Sequence, residues 1–184
     1  MDPLLGNSVT QEQQPILDSY WIVTGRFQAG EYPGSAQDEE ARKKLRWLLA
    51  QGTSMVLDLT EAGESGLKPY AHLLHEEADN MDQLVLYRRM PIRDFSTPSH
   101  ERIVEILDVV DKAMSNRQTI YLHCFGGIGR TGMIVGCYLA RHDIPGLEAL
   151  ELINHWRKNT PDGEKKSPET EAQRRMVMEW KKGQ

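Results

Sequence analysis

Short apolar runs alternate with stretches of helical periodicity along most of the chain. Runs of this length between turn residues predict short β-strands, and they fall at residues 21–23, 27–32, 55–59, 84–90 and 119–123. Apolar residues spaced three or four positions apart predict helices over residues 38–50, around 103–114 after a start at 97–99, over 132–142, around 150–156, and around 172–180 after a start at 167–168. Strands that alternate with helices favour an α/β fold, with a mostly parallel central sheet flanked by helices and sites at the C-terminal strand ends.

The length and composition of the chain predict one folded domain. With 184 residues, of which 39% are hydrophobic, the chain can bury one substantial core but not two. Residues 1–18 are mostly polar and are predicted to form an irregular lead-in. The single domain is therefore expected to cover residues 19–184.

The charge balance gives no general attraction to polyanions. The formal net charge is -5 and the sequence pI is near 5.7, which disfavours nucleic acid and anionic lipid as partners. No apolar run approaches the ~18 residues of a membrane span, and the first residues lack the regions of a signal peptide. We therefore expect a cytoplasmic monomer that binds neither nucleic acid nor membranes. Most clustered charges are interpreted as solvated faces, including Glu76, Glu77, Asp79 and Asp82.

The chain contains two cysteines, Cys124 and Cys137. Two are too few for a disulfide scaffold and suit a reducing compartment. Cys137 lies within a predicted apolar helix and is interpreted first as a small core residue. The alternative is a redox role, in which Cys137 or an outside thiol traps an oxidised Cys124 as a reversible disulfide.

The segment from His123 to Gly132 reads His-Cys-Phe-Gly-Gly-Ile-Gly-Arg-Thr-Gly and lies between a predicted strand and a predicted helix. That arrangement places an anion at a helix N-terminus. Five residues separate Cys124 from Arg130, and such a glycine-rich loop curls until successive backbone N–H groups point into one concavity. Arg130 closes this cup with a planar fork that holds two phosphate oxygens. The sequence thus predicts a phosphate-binding cup with the Cys124 sulfur at its base, where the same field favours the thiolate.

This segment resembles the signature loop of the protein tyrosine phosphatase superfamily, in which His-Cys is followed by five residues and then by Arg-Thr-Gly. Residues 126–130 are most similar to the dual-specificity branch, near the cyclin-dependent-kinase-associated phosphatases. The resemblance implies the cysteine-phosphatase fold of that branch, with Cys124 as the nucleophile. It assigns the substrate phosphate to the loop residues Phe125, Gly126, Gly127, Ile128, Gly129 and Arg130.

Asp94 is the candidate general acid. A thiolate that expels an alkoxide or phenoxide needs a proton donor for the leaving oxygen, and Asp94 stands directly after an apolar strand and before a helix. In the dual-specificity phosphatases a Pro-Ile-x-Asp segment carries the acid on a mobile loop, so the resemblance gives Asp94 that role. The alternative is a solvated or turn-forming aspartate. The larger tyrosine-specific enzymes have Trp-Pro-Asp where this chain has Ile-Arg-Asp, which favours the smaller branch.

Three further residues receive roles from the resemblance, each with a structural alternative. Thr131 is expected to hydrogen-bond the sulfur when it leaves as a thiolate, or to cap the helix. His123 is expected to orient the loop and to favour the thiolate form of Cys124, and is otherwise a core histidine. Gln173 is expected to position the hydrolytic water, and is otherwise a surface glutamine on an amphipathic helix. Residues 60–66 and 32–34 are candidates for bordering the substrate, or are plain connections.

These residues predict a cysteine-dependent phosphomonoesterase that works without metal or cofactor. The loop between Cys124 and Arg130 carries no lysine, whereas phosphoinositide-directed relatives commonly have basic residues there. A phosphoprotein or phosphopeptide is therefore the expected substrate, with phosphotyrosine first and phosphoserine and phosphothreonine left open. Two alternatives remain: the same chemistry on an inositol phosphate, lipid or nucleotide end, and a phosphate-binding module without turnover.

Overall fold

The computed structural model describes residues 15–184, so most of the predicted lead-in, residues 1–14, lies outside the described part. Residues 15–18 belong to no helix or strand. Ile16 is nevertheless fully buried, and it packs in the apolar cluster that contains Leu45 and Tyr70. Packed structure therefore begins a few residues before the first strand.

Within residues 15–184, five strands form one sheet: β1 (Ser19–Val23), β2 (Phe27–Gly30), β3 (Met55–Asp58), β4 (Leu86–Arg89) and β5 (Ile120–His123). Their order is β1-β2-β5-β3-β4; β1 runs antiparallel to β2, and the other pairs are parallel. The predicted mostly parallel α/β sheet is thus confirmed. β2 ends two residues before the predicted boundary, since the Tyr32 N–H donates to Phe125 O outside the sheet (N···O 2.9 Å).

In the described part of the chain, six α-helices surround the sheet: α1 (Asp38–Ala50), α2 (Ala71–Asn80), α3 (His100–Ser115), α4 (Gly129–Arg141), α5 (Gly146–Arg157) and α6 (Glu171–Glu179). Two predicted starts were wrong. α4 begins at Gly129, because the loop turns directly into the helix, and not at residue 132. α6 begins after Thr170, whose hydroxyl accepts a hydrogen bond from Gln173 N, and not at residues 167–168.

Helix α2 was not predicted, because only Leu73, Leu74 and Ala78 give it an apolar face between acidic residues. The interpretation of its acidic cluster as solvated was wrong for Glu77. That side chain is 6% exposed, because its carboxylate lies between the guanidinium groups of Arg42 (2.6 Å) and Arg46 (3.3 Å) of α1. An ion-pair cluster therefore joins α1 to α2.

The sheet has an apolar core on each face. Alternate residues of a strand point to opposite faces, so Met55 and Leu57 of β3 enter one core and Val56 enters the other. Helices α3 to α6 cover the first face, and α1 and α2 cover the second. The carboxyl ends of β2, β3, β4 and β5 meet at one edge, where the connections that follow them come together.

Candidate active site

The loop at residues 124–128 joins β5 to α4 at the carboxyl edge of the sheet. Cys124 is 3% exposed at the base of this loop. Gly127 has φ +69°, and a Cβ built on it would lie 2.5 Å from the carbonyl carbon of Gly30. Any side chain at Gly127 would therefore collide with β2, whereas a Cβ on Gly126 would lie 3.8 Å from Ile128 Cδ1 and meet no closer atom. Of the two glycines in this loop, Gly127 is required by both its backbone angle and its packing.

The guanidinium of Arg130 is buried, and both of its terminal nitrogens have polar partners. Its Nη1 and Nη2 each donate to a carboxylate oxygen of Glu64 at 2.6 Å. Nη1 also donates to Ile92 O at 3.0 Å, and Nη2 lies 3.1 Å from Asp94 Oδ1. The Nε–H, in contrast, has no hydrogen-bond partner within the described residues. The fork is thus fixed by Glu64, and its buried Nε–H is left without a partner among the described residues.

Glu64 is a site residue that the sequence analysis did not single out. It lies on a short 3-10 turn (Glu64–Gly66) after β3, inside the segment predicted to border the substrate. Burial alone would raise the pKa of its carboxyl group, but the hydrogen bonds from Arg130 hold that pKa below its usual value. Nothing local distinguishes Glu64 from the nearby Glu61, so only the tertiary contact identifies it.

Asp94 lies on a tight turn between β4 and α3. Ser96 N and Ser96 Oγ both donate to Arg93 O, at 3.1 and 2.7 Å, which closes the turn. Asp94 Oδ1 accepts a hydrogen bond from Phe95 N at 3.0 Å, and the same oxygen contacts Arg130. The side chain of Asp94 remains 40% exposed. The structure therefore brings the predicted acid to the predicted phosphate clamp.

Gln173 is buried, so the alternative of a surface glutamine was wrong. Its Oε1 accepts a hydrogen bond from Thr170 N at 3.2 Å, which completes a capping box at the start of α6. Its Nε2 donates to Ser96 O on the turn that carries Asp94, at 3.1 Å. Its Oε1 also lies 3.1 Å from a Cβ built on Gly129. Gln173 thus stands between the loop at residues 124–128, the cysteine loop, and the turn at residues 93–96, the acid turn.

Two buried hydroxyl side chains lie at the start of α4, and within the described residues only that of Ser167 forms a hydrogen bond there. Thr131 is fully buried, and its Oγ1 has no hydrogen-bond partner within residues 15–184. Ser167 Oγ donates to Ile128 O at 2.7 Å. A Cβ on Gly132 would lie 2.1 Å from Ser167 Oγ. Ser167 therefore braces the cysteine loop instead of opening α6.

His123 is part of a buried polar network behind the cysteine. Its Nδ1 lies 2.9 Å from Cys124 O, which only accepts, so Nδ1 carries the proton. Its Nε2 then accepts a hydrogen bond from Tyr70 Oη at 2.6 Å. Burial lowers the pKa of His123, and this outweighs the opposing charge of Asp58, whose Oδ1 is 3.9 Å from Nε2. His123 is a neutral, satisfied residue that fixes the Cys124 carbonyl.

The connection at residues 32–34 was a candidate border of the substrate. All three residues are buried. The Tyr32 ring packs edge-on against Tyr70 and His123, with ring centroids 5.2 and 5.6 Å apart. This segment therefore supports the cysteine loop from behind and does not face a substrate.

Two aromatic rings stand exposed beside the site. Phe95 follows Asp94 and is 61% exposed, and Phe125 follows Cys124 and is 50% exposed. Phe95 has φ +55°, a left-handed backbone conformation that is an outlier for an aromatic residue. The opening of the site thus carries two apolar rings, next to the polar groups at the bottom of the site.

Cys137 lies within α4 and is fully buried. Burial raises the pKa of its thiol far above the usual value. Both cysteines are free. These observations fit the interpretation of Cys137 as a core residue, because a buried protonated thiol is a poor nucleophile.

Fold and site together have the architecture of the protein tyrosine phosphatase superfamily. A model of the family described as "Polymorphic toxin system, DSP-PTPase phosphatase" matches residues 30–144, which is more than half of the chain. The chain therefore belongs to this DSP-PTPase phosphatase family.

Individual relatives agree with this assignment. The chain is 27% identical over 170 residues to protein 067L of Invertebrate iridescent virus 3, which is named as a tyrosine phosphatase. That match covers 87% of this chain but 64% of the viral protein, so this chain spans less than two thirds of that relative.

Two solved structures share the fold. Tk-PTP in its active form has a TM-score of 0.64 and 24% identity, over 89% of this chain and 95% of its own. Kinase associated phosphatase has a TM-score of 0.63 and 19% identity, over 83% of this chain and 84% of its own. At these identities the likeness establishes the fold. None of the helices within residues 15–184 is long and apolar enough to cross a membrane.

Proposed function

We propose that the chain is a phosphomonoesterase of the tyrosine or dual-specificity type that acts through a phosphocysteine intermediate. The observation that carries this proposal is the meeting of three groups at one sheet edge. Cys124 lies at the base of a loop that leads into a helix N-terminus, the Arg130 Nε–H has no partner within residues 15–184, and Asp94 lies 3.1 Å from the guanidinium. A nucleophile, an anion clamp and a proton donor are the parts that this chemistry requires.

In the first step the loop N–H groups and Arg130 hold the phosphate dianion in line with the Cys124 thiolate. The sulfur attacks phosphorus as the bond to the leaving oxygen breaks. Protonated Asp94 delivers its proton to that oxygen. The products of this step are a free alcohol or phenol, a phosphocysteine and an ionised Asp94.

In the second step water attacks the phosphocysteine and inorganic phosphate is released. Asp94 takes the proton from the attacking water, and the phosphorus–sulfur bond breaks. The hydroxyl of Thr131 donates to the departing thiolate; its lack of a partner within residues 15–184 leaves it available for this. Gln173, beside the loop, orients the water.

The test is release of p-nitrophenol from p-nitrophenyl phosphate by the purified protein. Cys124→Ser is expected to abolish turnover, and Arg130→Lys to lower kcat/KM by about 10²-fold because lysine lacks the fork. Cys137→Ala is the matched cysteine control and should retain activity. Turnover that persists in Cys124→Ser would contradict the proposal, and an inactive wild-type protein would favour a binding module.

Phosphotyrosine is the proposed substrate group. The loop at residues 125–129 presents no cation for a second phosphate, and the exposed rings of Phe95 and Phe125 suit an aryl ester in a peptide. A panel of phosphotyrosyl and phosphoseryl peptides, an inositol phosphate, a phosphoinositide and a 5′-nucleotide separates the options. Preference for any non-peptide phosphate would replace this assignment.

The partner we propose is a phosphoprotein, bound by a monomer in the cytoplasm, where a catalytic thiol stays reduced. A protein with Cys124→Ser and Asp94→Ala together binds substrate without turning it over. After incubation with a lysate it should retain tyrosine-phosphorylated proteins that orthovanadate displaces. Retention that orthovanadate does not affect would argue against binding at this site.

A further inference from the structure

The side chain of Gln173 hydrogen-bonds two different parts of the molecule at once. Its carbonyl oxygen is held by Thr170 N within α6, and its amide nitrogen donates to Ser96 O on the acid turn. The first bond is local, and the second joins residues 77 positions apart. A side chain needed only to cap α6 would not require the second bond.

The acid turn has few other ties to the rest of the fold. The bonds between Arg93 and Ser96 are internal, and Asp94 bonds to its neighbour Phe95. Within residues 15–184, Arg130 and Gln173 are the two side chains outside the turn that form an ion pair or a hydrogen bond with residues 93–96. A phosphate on the Arg130 fork competes with Asp94 for that guanidinium. During substrate binding the bond from Gln173 is then the side-chain hydrogen bond from outside the turn that remains on residues 93–96.

Gln173 also packs against the end of the cysteine loop. It is 1% exposed, and its amide packs against Gly129 at the first turn of α4. A rigid, buried amide between the two loops fixes the distance from the proton donor to the nucleophile. Small misplacements of a proton donor lower its contribution strongly.

We propose that Gln173 is a positioning residue for the general acid, and that it acts by holding the Asp94 turn over the cysteine loop through Ser96 O. The inference rests on the proposed phosphatase function. It differs from the water-orienting role because it acts in the first step, on the leaving group.

Gln173→Glu separates the two bonds of the side chain. A glutamate still accepts from Thr170 N and keeps the capping box, and the helix N-terminus favours its ionised form. It loses the donor to Ser96 O. Gln173→Met, which has neither group and no charge, is the second variant. Thr170→Ala removes the cap hydroxyl and is the control for weakening α6 alone.

The measurement is kcat/KM for phenyl phosphate, whose leaving group needs a proton, against p-nitrophenyl phosphate, whose leaving group needs it much less. For both Gln173 variants we expect about a tenfold loss on phenyl phosphate and little change on p-nitrophenyl phosphate, a part of the effect of the acid itself. Thr170→Ala should lower the melting temperature and leave the ratio of the two rates unchanged. Equal losses on both substrates, or a loss in Gln173→Glu alone, would overturn the inference.

Combination with Asp94→Asn tests whether Gln173 acts through the acid. If it does, Gln173→Met adds no further loss of kcat/KM on phenyl phosphate once Asp94 is replaced. A full additional loss would show that Gln173 acts by another route, and would contradict the inference. Absence of any Cys124-dependent turnover in the wild-type protein would overturn the proposed function itself, and this inference with it.

Discussion

At the residue scale, the site depends on one ion pair that fixes the direction of Arg130. The guanidinium is 1% exposed and the Glu64 carboxylate 7% exposed, so the pair lies beyond the screening that weakens surface salt bridges. Both terminal nitrogens are used on Glu64. This ion pair therefore decides which edge of the Arg130 guanidinium faces the phosphate-binding loop.

Replacement of Glu64 is expected to lower activity. Glu64→Gln keeps the shape of the side chain but loses the charge, so Arg130 is held less firmly. We expect kcat/KM for p-nitrophenyl phosphate to fall by about tenfold or more. Glu61→Gln, three positions earlier and exposed, is the matched control and should behave as wild type. Similar activity in both variants would show that Glu64 does not set the fork.

Phe95 presents a second prediction at this scale, because its backbone conformation is unfavourable for its side chain. A left-handed conformation costs an ordinary residue about 1–2 kcal/mol, and asparagine tolerates it better. Phe95→Asn should therefore raise the free energy of unfolding by about 1 kcal/mol, while it lowers kcat/KM for phosphotyrosyl peptides through loss of the ring. Denaturant unfolding and peptide kinetics measure the two effects. Leu84→Asn, at a residue 94% exposed, is the control, and a destabilised Phe95→Asn would refute the strain argument.

At the element scale, the cysteine loop is held by packing from behind as much as by its own turns. Gly127 rests on the backbone of β2, Tyr32 N–H bonds the loop carbonyl of Phe125, and Ser167 braces the end of the loop. The loop is thus a junction of β2, β5, α4 and the segment before α6. Its shape depends on all four.

A pair of glycine substitutions tests this junction. Gly127→Ala places a methyl group 2.5 Å from the Gly30 backbone at a positive φ, and should lower the free energy of unfolding by about 2 kcal/mol or more. Gly126→Ala places it 3.8 Å from the nearest atom, in the flexible side chain of Ile128. Its stability should stay within about 0.5 kcal/mol of wild type. Chemical unfolding of both proteins measures this, and equal stabilities would contradict the role of β2.

At the scale of the whole molecule, buried carboxylates join elements distant in sequence. Asp58 accepts from Thr60, Tyr87 and Arg89, and Glu77 joins α1 to α2. Burial alone would raise the pKa of each carboxyl group. Hydrogen bonds and opposite charges outweigh burial, so the pKa values of Asp58, Glu64 and Glu77 lie below their usual values of 3.8, 4.5 and 4.5.

This predicts a fold that loses stability in acid. A carboxyl group with a lowered pKa in the folded state contributes stability above its unfolded pKa, and that stability is lost as pH falls through the folded pKa. The melting temperature should therefore fall as the pH drops below about 4.5. Glu77→Gln should reduce this dependence, and Glu76→Gln, whose side chain is 54% exposed, should not. A melting temperature that is flat between pH 5 and pH 3 would contradict the prediction.

The sequence predicted the five strands, helix α1 and the cysteine loop, because the residue pattern that indicates each of them lies within one short segment. It did not predict α2, whose acidic residues hid a narrow apolar face. It also did not find Glu64, which resembles any other loop glutamate until Arg130 is placed beside it. For Gln173 the sequence indicated a role but not the contact with Ser96.

What the sequence by itself determined is the alternation of strands and helices and the order of cysteine, glycines and arginine in one loop, since these patterns are local. Tertiary structure decided which carboxylate fixes the arginine and which amide holds the acid turn. The contact of Arg130 with Glu64 spans 66 positions, and that of Gln173 with Ser96 spans 77. The sheet places these residues together because its parallel strands end at one edge, and no pattern within a single segment records that meeting.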